Sequence, residues 1–302
     1  MYWNDLNTHL KRQYGCKVYK LALSSGCSCP NRDGTLGVRG CIFCDGAGAF
    51  AEAGDIPAQL AAARQRVSAK AGQGTKYIAY FQSFTNTYGD PAHLRKLFQA
   101  AIEPEDVAIL SIATRPDCLG PEISELLAEL NRVKPVWVEL GLQTIHPASA
   151  AYIRRGYDLP VFDAAVKRLK AIGVRVIVHQ ILGLPGETPE MMAQTSRYIG
   201  QAGADGVKLH LLHVLRNTDL AAEWQAGRVQ TLELPEYIAA LELCLQNLPP
   251  EVVIHRLTGD GAKRDLLSPL WSGDKKRVLN AIRRAFERDD LVQGSALSAA
   301  CE

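Results

Sequence analysis

No stretch of this sequence is long and apolar enough to cross a bilayer, and the opening Met1-Tyr2-Trp3-Asn4-Asp5-Leu6 has no basic segment leading into an apolar one. Both absences argue against membrane insertion and secretion, so the chain is read as cytoplasmic. Charge of one sign is lacking too. With 34 Lys and Arg against 32 Asp and Glu the net charge is +2, which excludes a strongly basic nucleic-acid binder and leaves an RNA substrate open. Internal repeats and low-complexity tracts are missing, and nothing marks a second domain across the 302 residues. A chain of that length buries a substantial core without help from disulfides.

Eight cysteines are present, and in a reducing compartment they are not expected to build a disulfide framework. Cys16, Cys118, Cys244 and Cys301 are scattered and read as small apolar residues. Cys27, Cys29, Cys41 and Cys44 crowd together in Cys27-Ser28-Cys29-Pro30-Asn31-Arg32-Asp33-Gly34 and Gly40-Cys41-Ile42-Phe43-Cys44, which points to metal or redox use. Three thiolates at Cys29, Cys41 and Cys44 would leave one position of a metal or cluster open for chemistry. Four, with Cys27, would close a structural zinc site. Such a zinc usually organises a module that lacks a core, which this chain does not lack. A zinc-stabilised binding protein and an iron–sulfur electron carrier therefore stand as alternatives to an enzyme.

Along the chain, short β-rich runs alternate with longer helical ones, the pattern of parallel strands joined by crossover helices. Strands are expected at 18–23, 77–82, 107–112, 136–142, 174–182 and 207–214, with helices at 57–69, 91–101, 121–133, 160–172 and 189–201. A doubly wound sheet would alternate in the same way. The unusual residues decide between them: 26–54, 82–88, 114–117, 143–146 and 183–187 all follow the C-terminal ends of expected strands, the face where parallel barrels carry their sites. The expected fold is α/β, a partial TIM-like β/α barrel of about six units with a C-terminal helical extension. Its core covers 1–231 with the cysteine loop at 25–54, and 232–302 packs on the same domain, with a short strand at 252–257 and a basic amphipathic helix from Lys275.

The cysteine loop resembles the cluster-binding loop of the radical S-adenosylmethionine (radical SAM) superfamily, with eleven residues between the first two ligands where three are usual. Together with Cys29-Pro30-Asn31-Arg32-Asp33-Gly34-Thr35, this stretched spacing is similar to a branch related to the catalytic subunit of elongator and to oxygen-independent coproporphyrinogen oxidase. The resemblance implies that Cys29, Cys41 and Cys44 hold three irons of a [4Fe-4S] cluster whose fourth iron binds SAM, and that Phe43 lies near the adenine. Cys27 has no role in that pattern. The low-potential cluster would cleave SAM reductively to a 5'-deoxyadenosyl radical, which a barrel shields from water.

Other loops can be matched to the same family. The segment Gln82-Ser83-Phe84-Thr85 stands where the superfamily has a glycine-rich loop against the methionyl amino group, although no glycine occurs here before Gly89. Gln143 would lie beside SAM, and Arg155, twelve residues on, would fork onto its carboxylate. His179 stands where related enzymes place an acidic residue on the ribose hydroxyls. Lys208 and His210, of one parity on the sixth strand, are expected to face inward as catalytic or substrate contacts, His213 to face away, and Arg256 and Asp260 are further candidates.

The substrate implied by the elongator direction is the wobble uridine of tRNA, with trimming of a carboxymethylaminomethyl side chain to aminomethyl. No acetyltransferase-like segment accompanies the barrel, so acetyl-dependent addition is not expected. A flavodoxin or ferredoxin would supply the electron. The basic helix with Lys275, Lys276, Arg277, Arg283, Arg284 and Arg288 could meet RNA phosphates, though such spacing also describes a solvated face.

Overall fold

A computed structural model describes residues 2–46, 54–259 and 263–297. Its helices begin where proline and a capping side chain coincide, because proline lacks an amide hydrogen that the first turn could not use and the cap takes up one that it could. Asp55 caps α2 (Ile56–Val67), Asp90 caps α3 (Pro91–Ile102) and Thr188 caps α7 (Pro189–Gln201), each with proline in the first turn. Proline also opens α4 (Pro121–Val133), α5 (Pro147–Tyr152), α6 (Leu159–Ala171) and α9 (Leu234–Gln246). Helices α1 (Leu6–Tyr14), α8 (Asp219–Gln225) and α10 (Lys275–Arg288) start on Asp5, Thr218 and Asp274.

The strands between them are β1 (Val18–Leu23), β2 (Lys76–Phe81), β3 (Val107–Thr114), β4 (Val136–Gln143), β5 (Arg175–Leu182), β6 (Gly206–Leu211) and β8 (Val253–Arg256), in one sheet of order β1-β2-β3-β4-β5-β6-β8 with every neighbour parallel. The sheet is a curled partial barrel of the TIM type. It keeps the six expected strands, and the short strand expected at 252–257 joins them as β8 at the far edge. The expected sixth strand is split: β6 ends at Leu211, and β7 (Val214–Leu215) leaves to pair antiparallel with β9 (Leu266–Ser268). Parity along β6 therefore stops short of Arg216, whose amide bonds Asp265 O instead.

Alternation sends one set of side chains outward under the helices and the other into the barrel. Leu21, Phe81, Leu110, Val138, Val178 and Leu209 belong to the outer core. At the N-terminal end of the barrel Val18, Ile78, Ile109, Trp137 and Ile177 meet Leu10 of α1, which packs against both edge strands and plugs that end. The amide of Ile254 bonds Asn4 O at 2.8 Å across the same gap. One layer further up, the inward residues turn polar. No helix among the described residues is long and apolar enough to cross a membrane.

Candidate active site

The polar layer is centred on Glu139, a carboxylate with 1% exposure midway along β4. A buried carboxylate is tolerable only when paired and hydrogen-bonded, and five groups from five other strands serve it. Its Oε1 accepts from Ser111 Oγ at 2.9 Å, its Oε2 from Tyr80 Oη at 2.9 Å and His179 Nε2 at 2.8 Å, and Lys20 Nζ stands 3.8 Å away. Lys208 Nζ is also bonded to the same Oε2 and to Tyr80 Oη. Burial alone would raise the Glu139 pKa, but Lys208, Lys20 and the His179 bond outweigh it and hold the carboxyl well below its usual range. Because Nε2 of His179 donates to this carboxylate, its Nδ1 is the acceptor.

The cysteine loop above this layer is wound around two side chains. Asn31 donates from Nδ2 to Arg154 O at 2.7 Å and lies 3.6 Å from Cys41 Sγ, while its own carbonyl accepts the amide of Gly40 at 2.7 Å. Arg32 donates to Cys44 O at 2.6 Å. A Cβ at Gly40 or Gly46 would come within 2.8 or 2.7 Å of the Arg32 guanidinium, so both glycines are needed for the chain to pass.

Cys29, Cys41 and Cys44 line one cavity of about 280 Å³. Cys27 instead packs against the outer core, where a Cβ at Gly89 would meet its sulfur at 3.3 Å. Burial, with Cys44 adding, pushes the Cys41 thiol up to about 11, so a metal group would be needed to hold it as thiolate. Among the described residues no three His, Cys, Asp or Glu side chains gather closely enough for a single metal ion, and a four-thiolate zinc site has no counterpart there. Three thiols opening into one space suit a group in which each binds a separate iron.

The remaining walls of that cavity come from the strand ends. Gln82, Phe84 and Thr85 line one side, whereas Ser83 does not. Opposite them, Gln143 ends β4 in the left-handed region at φ 67°, an uncommon conformation for a residue with a side chain, and its Nε2 lies where a Cβ at Gly141 would be only 2.9 Å away. Arg155 is buried. It spends Nε on Tyr157 O at 3.0 Å and Nη1 on Thr144 O at 2.7 Å and Leu142 O at 3.3 Å, which leaves Nη2 for a ligand.

Arg115 grips Asp117 with two bonds of 2.9 and 2.7 Å and donates to Arg155 O at 2.9 Å. Both guanidinium carbons lie against the Tyr157 ring, 4.6 Å away for Arg155 and 5.3 Å for Arg115. Phe43, Gln143 and His179 also line a second cavity, shared with His210 and His213. The structure thus gathers Cys29, Phe43, Gln82, Thr85, Gln143, Arg155, His179 and His210 about two adjoining spaces. Lys208 lines neither. Arg256 pairs in register with Lys208 at the C-terminal end of β8, and Asp260 lies outside the described residues.

Glu139, Arg115 and Tyr157 escaped the sequence reading. One signal was available: Lys20, Glu139 and Lys208 interrupt strands of a parallel sheet that ought to be apolar on both faces, and buried charges of opposite sign must find each other.

A parallel half-barrel with three thiols opening into a cavity at its strand ends has the architecture of a β/α-barrel enzyme. The profile of the Radical SAM superfamily matches residues 32–199, that of the Radical SAM C-terminal domain matches 204–288, and the chain belongs to this family. It is a radical SAM enzyme, and its cofactors are a [4Fe-4S] cluster and SAM. YtqA of Bacillus subtilis is 40% identical over 296 residues, covering 97% of this chain and 92% of that protein. A tRNA uridine(34) acetyltransferase of Methanocaldococcus jannaschii is 29% identical over 155 residues, 50% of this chain and 28% of that protein. The solved structure of Methanocaldococcus infernus Elp3 lacking residues 1–46 superposes with a TM-score of 0.71 at 18% identity. That match covers 91% of this chain and 64% of Elp3, and at such identity it bears on the fold alone.

Proposed function

We propose that this enzyme acts on the wobble uridine of tRNA, trimming a carboxymethylaminomethyl side chain to aminomethyl. The observation that carries the reading is the pair of adjoining cavities, one bearing the three cysteines and the other free to take a second molecule, with Phe43, Gln143 and His179 between them. The substrate class is supported by the 155-residue similarity to a tRNA uridine(34) acetyltransferase.

In this reading Cys29, Cys41 and Cys44 each hold one iron of the cluster. When bound, the cluster and SAM would supply the one-electron chemistry that removes a hydrogen atom from the side chain. Arg155 would offer Nη2 to the SAM carboxylate, Gln143, Thr85 and the backbone at Gln82 would surround the methionyl end, and Phe43 would meet the adenine. His179 would accept a ribose hydroxyl on Nδ1. Lys208 acts at one remove, by holding the carboxylate that orients His179.

The overall reaction closes without an external oxidant: SAM, water and the carboxymethylated amine give methionine, 5'-deoxyadenosine, the free amine, the two-carbon aldehyde acid glyoxylate and a proton. A flavodoxin or ferredoxin primes the cluster in the cytoplasm, and 232–302 serves as an extension packed on the 1–231 core. Nucleoside analysis of tRNA from cells lacking the gene tests the substrate. Carboxymethylaminomethyluridine should accumulate at the expense of the aminomethyl form. Unchanged wobble uridines would remove this substrate, while formation of 5'-deoxyadenosine by the reconstituted protein would still stand.

A further inference from the structure

We infer that the second cavity is the seat of a pyrimidine base extruded from RNA, and that His210 reads the edge of that base. The inference rests on the RNA reading above and goes beyond it in saying which part of the substrate is held, and by what.

The cavity has a volume of about 200 Å³. Ile181, Leu212 and Leu215 give it apolar walls, Phe43 supplies a ring, and imidazoles and the Gln143 amide supply the polar groups. Among the described residues, no Asp, Glu, Lys or Arg lines it. Lys208 and Arg256 act electrostatically on His210 but neither lines the cavity, so a phosphate or carboxylate would be buried there without a cation in direct contact. A purely aliphatic ligand fails for the opposite reason. The Nε2 of His210 is buried without a hydrogen-bond partner among the described residues, and such a group is expensive to leave unmet.

His210 is also held in place. Its ring packs at 5.0 Å on that of His179, which Glu139 fixes through Nε2. A rigid nitrogen in an apolar slot calls for a neutral, flat ligand with hydrogen-bonding edges, and a nucleobase taken out of its stack has that form. A base so held would direct its substituent past Phe43, Gln143 and His179, the residues common to both cavities, toward the space assigned to SAM.

The test uses the reconstituted holoenzyme with SAM, kept anaerobic and without reductant. Its affinity is measured for an anticodon stem–loop RNA carrying carboxymethylaminomethyluridine at the wobble position, and for the same RNA made abasic there. The wild type should favour the first RNA. His210→Phe, which keeps a ring but has no nitrogen, should lose roughly 10- to 100-fold of that preference, the effect of a buried hydrogen bond left unmade. Leu215→Trp, which fills the slot from a half-buried position, should lose it as well. A variant that merely misfolds would lose both RNAs equally, so the ratio reports the slot. Preference retained by both variants, or no preference in the wild type, would overturn the inference. If preference is retained while tRNA from deleted cells still accumulates the longer side chain, only the seat of the base is wrong. If the wild type binds neither RNA, the RNA reading falls with it.

Discussion

The side-chain amide of Asn31 donates to the carbonyl of Arg154 at 2.7 Å, joining the cysteine loop to the turn after α5 across 123 residues of sequence. The same side chain occupies the ground beside Gly156, where a Cβ would stand 2.8 Å from Asn31 Oδ1 at a φ of +80°. This buried amide is one of the ties that align the loop with the rest of the site, beside the backbone bonds of Ile42 to Ile153 and Leu220. Asn31→Ala should cost about 1–3 kcal/mol by leaving the Arg154 carbonyl unmet, and should lower iron retention after anaerobic reconstitution. Gly156→Ala should act in the same direction through strain and the clash. Iron content and denaturant midpoints matching the wild type in both variants would show that the loop is aligned by something else.

The two kinds of cysteine should separate cleanly. Cys29→Ala, Cys41→Ala and Cys44→Ala each remove a thiol from the first cavity and should lose most of the cluster absorbance and all formation of 5'-deoxyadenosine. Cys27→Ala removes a sulfur that faces the core and should keep its iron. Loss of the cluster from Cys27→Ala would revive a four-thiolate site.

Glu139→Ala strands Lys208, and with it Lys20, in a buried layer. Removing one partner of a buried ion pair costs about 3–5 kcal/mol, so urea unfolding should show a large loss. Adding Lys208→Met to that variant should return part of it, because the uncompensated ammonium goes too. A double variant less stable than Glu139→Ala alone would mean that Lys208 is held chiefly by Tyr80.

Acid should weaken the fold before it titrates the carboxylates. Burial, aided by the Lys208 charge, lowers His179 from 6.5 to about 4, with the Glu139 bond opposing. Between these values the unfolded chain binds a proton that the folded chain refuses. Stability is thus fully present above pH 6.5 and falls as the pH drops toward about 4. His210 and His255, also depressed by burial, add slope of the same sign. Urea midpoints measured across this range should decline in the wild type and decline less in His179→Gln. A midpoint indifferent to pH would contradict the assignment of a neutral His179.

Much of the fold was legible because the sequence punctuates itself. Pro91, Pro121 and Pro189 stand at helix starts, and the apolar runs between helices fall within a residue or two of the strands they form. The break after Leu211 was not legible, since no glycine, proline or other turn residue interrupts the run from Val207 to Val214 where its hydrogen bonds pass from β5 to β9. The cysteines and Gln143 declared themselves through local motifs. Glu139 did not, because its partners Tyr80, Ser111, His179 and Lys208 lie on four other strands and meet only through the register of the sheet. Asn31 lay inside a motif read for its cysteine, and its role depends on a carbonyl that no local pattern could pair with it.

Tyr157 bears on what happens to an unpaired electron. A phenol beside a carbon radical is a natural sink: it surrenders an electron and a proton together, and the radical then wanders into the protein. Here the electron would have to leave a ring that already faces two guanidinium groups, so the hole left behind would be positive among positives. The proton would fare no better. The hydroxyl donates to the Gly141 carbonyl, an oxygen far too weak a base to take it, and burial raises the phenol's pKa further. The ring is thereby made hard to oxidise, and an aromatic wall can stand next to radical chemistry without becoming its victim.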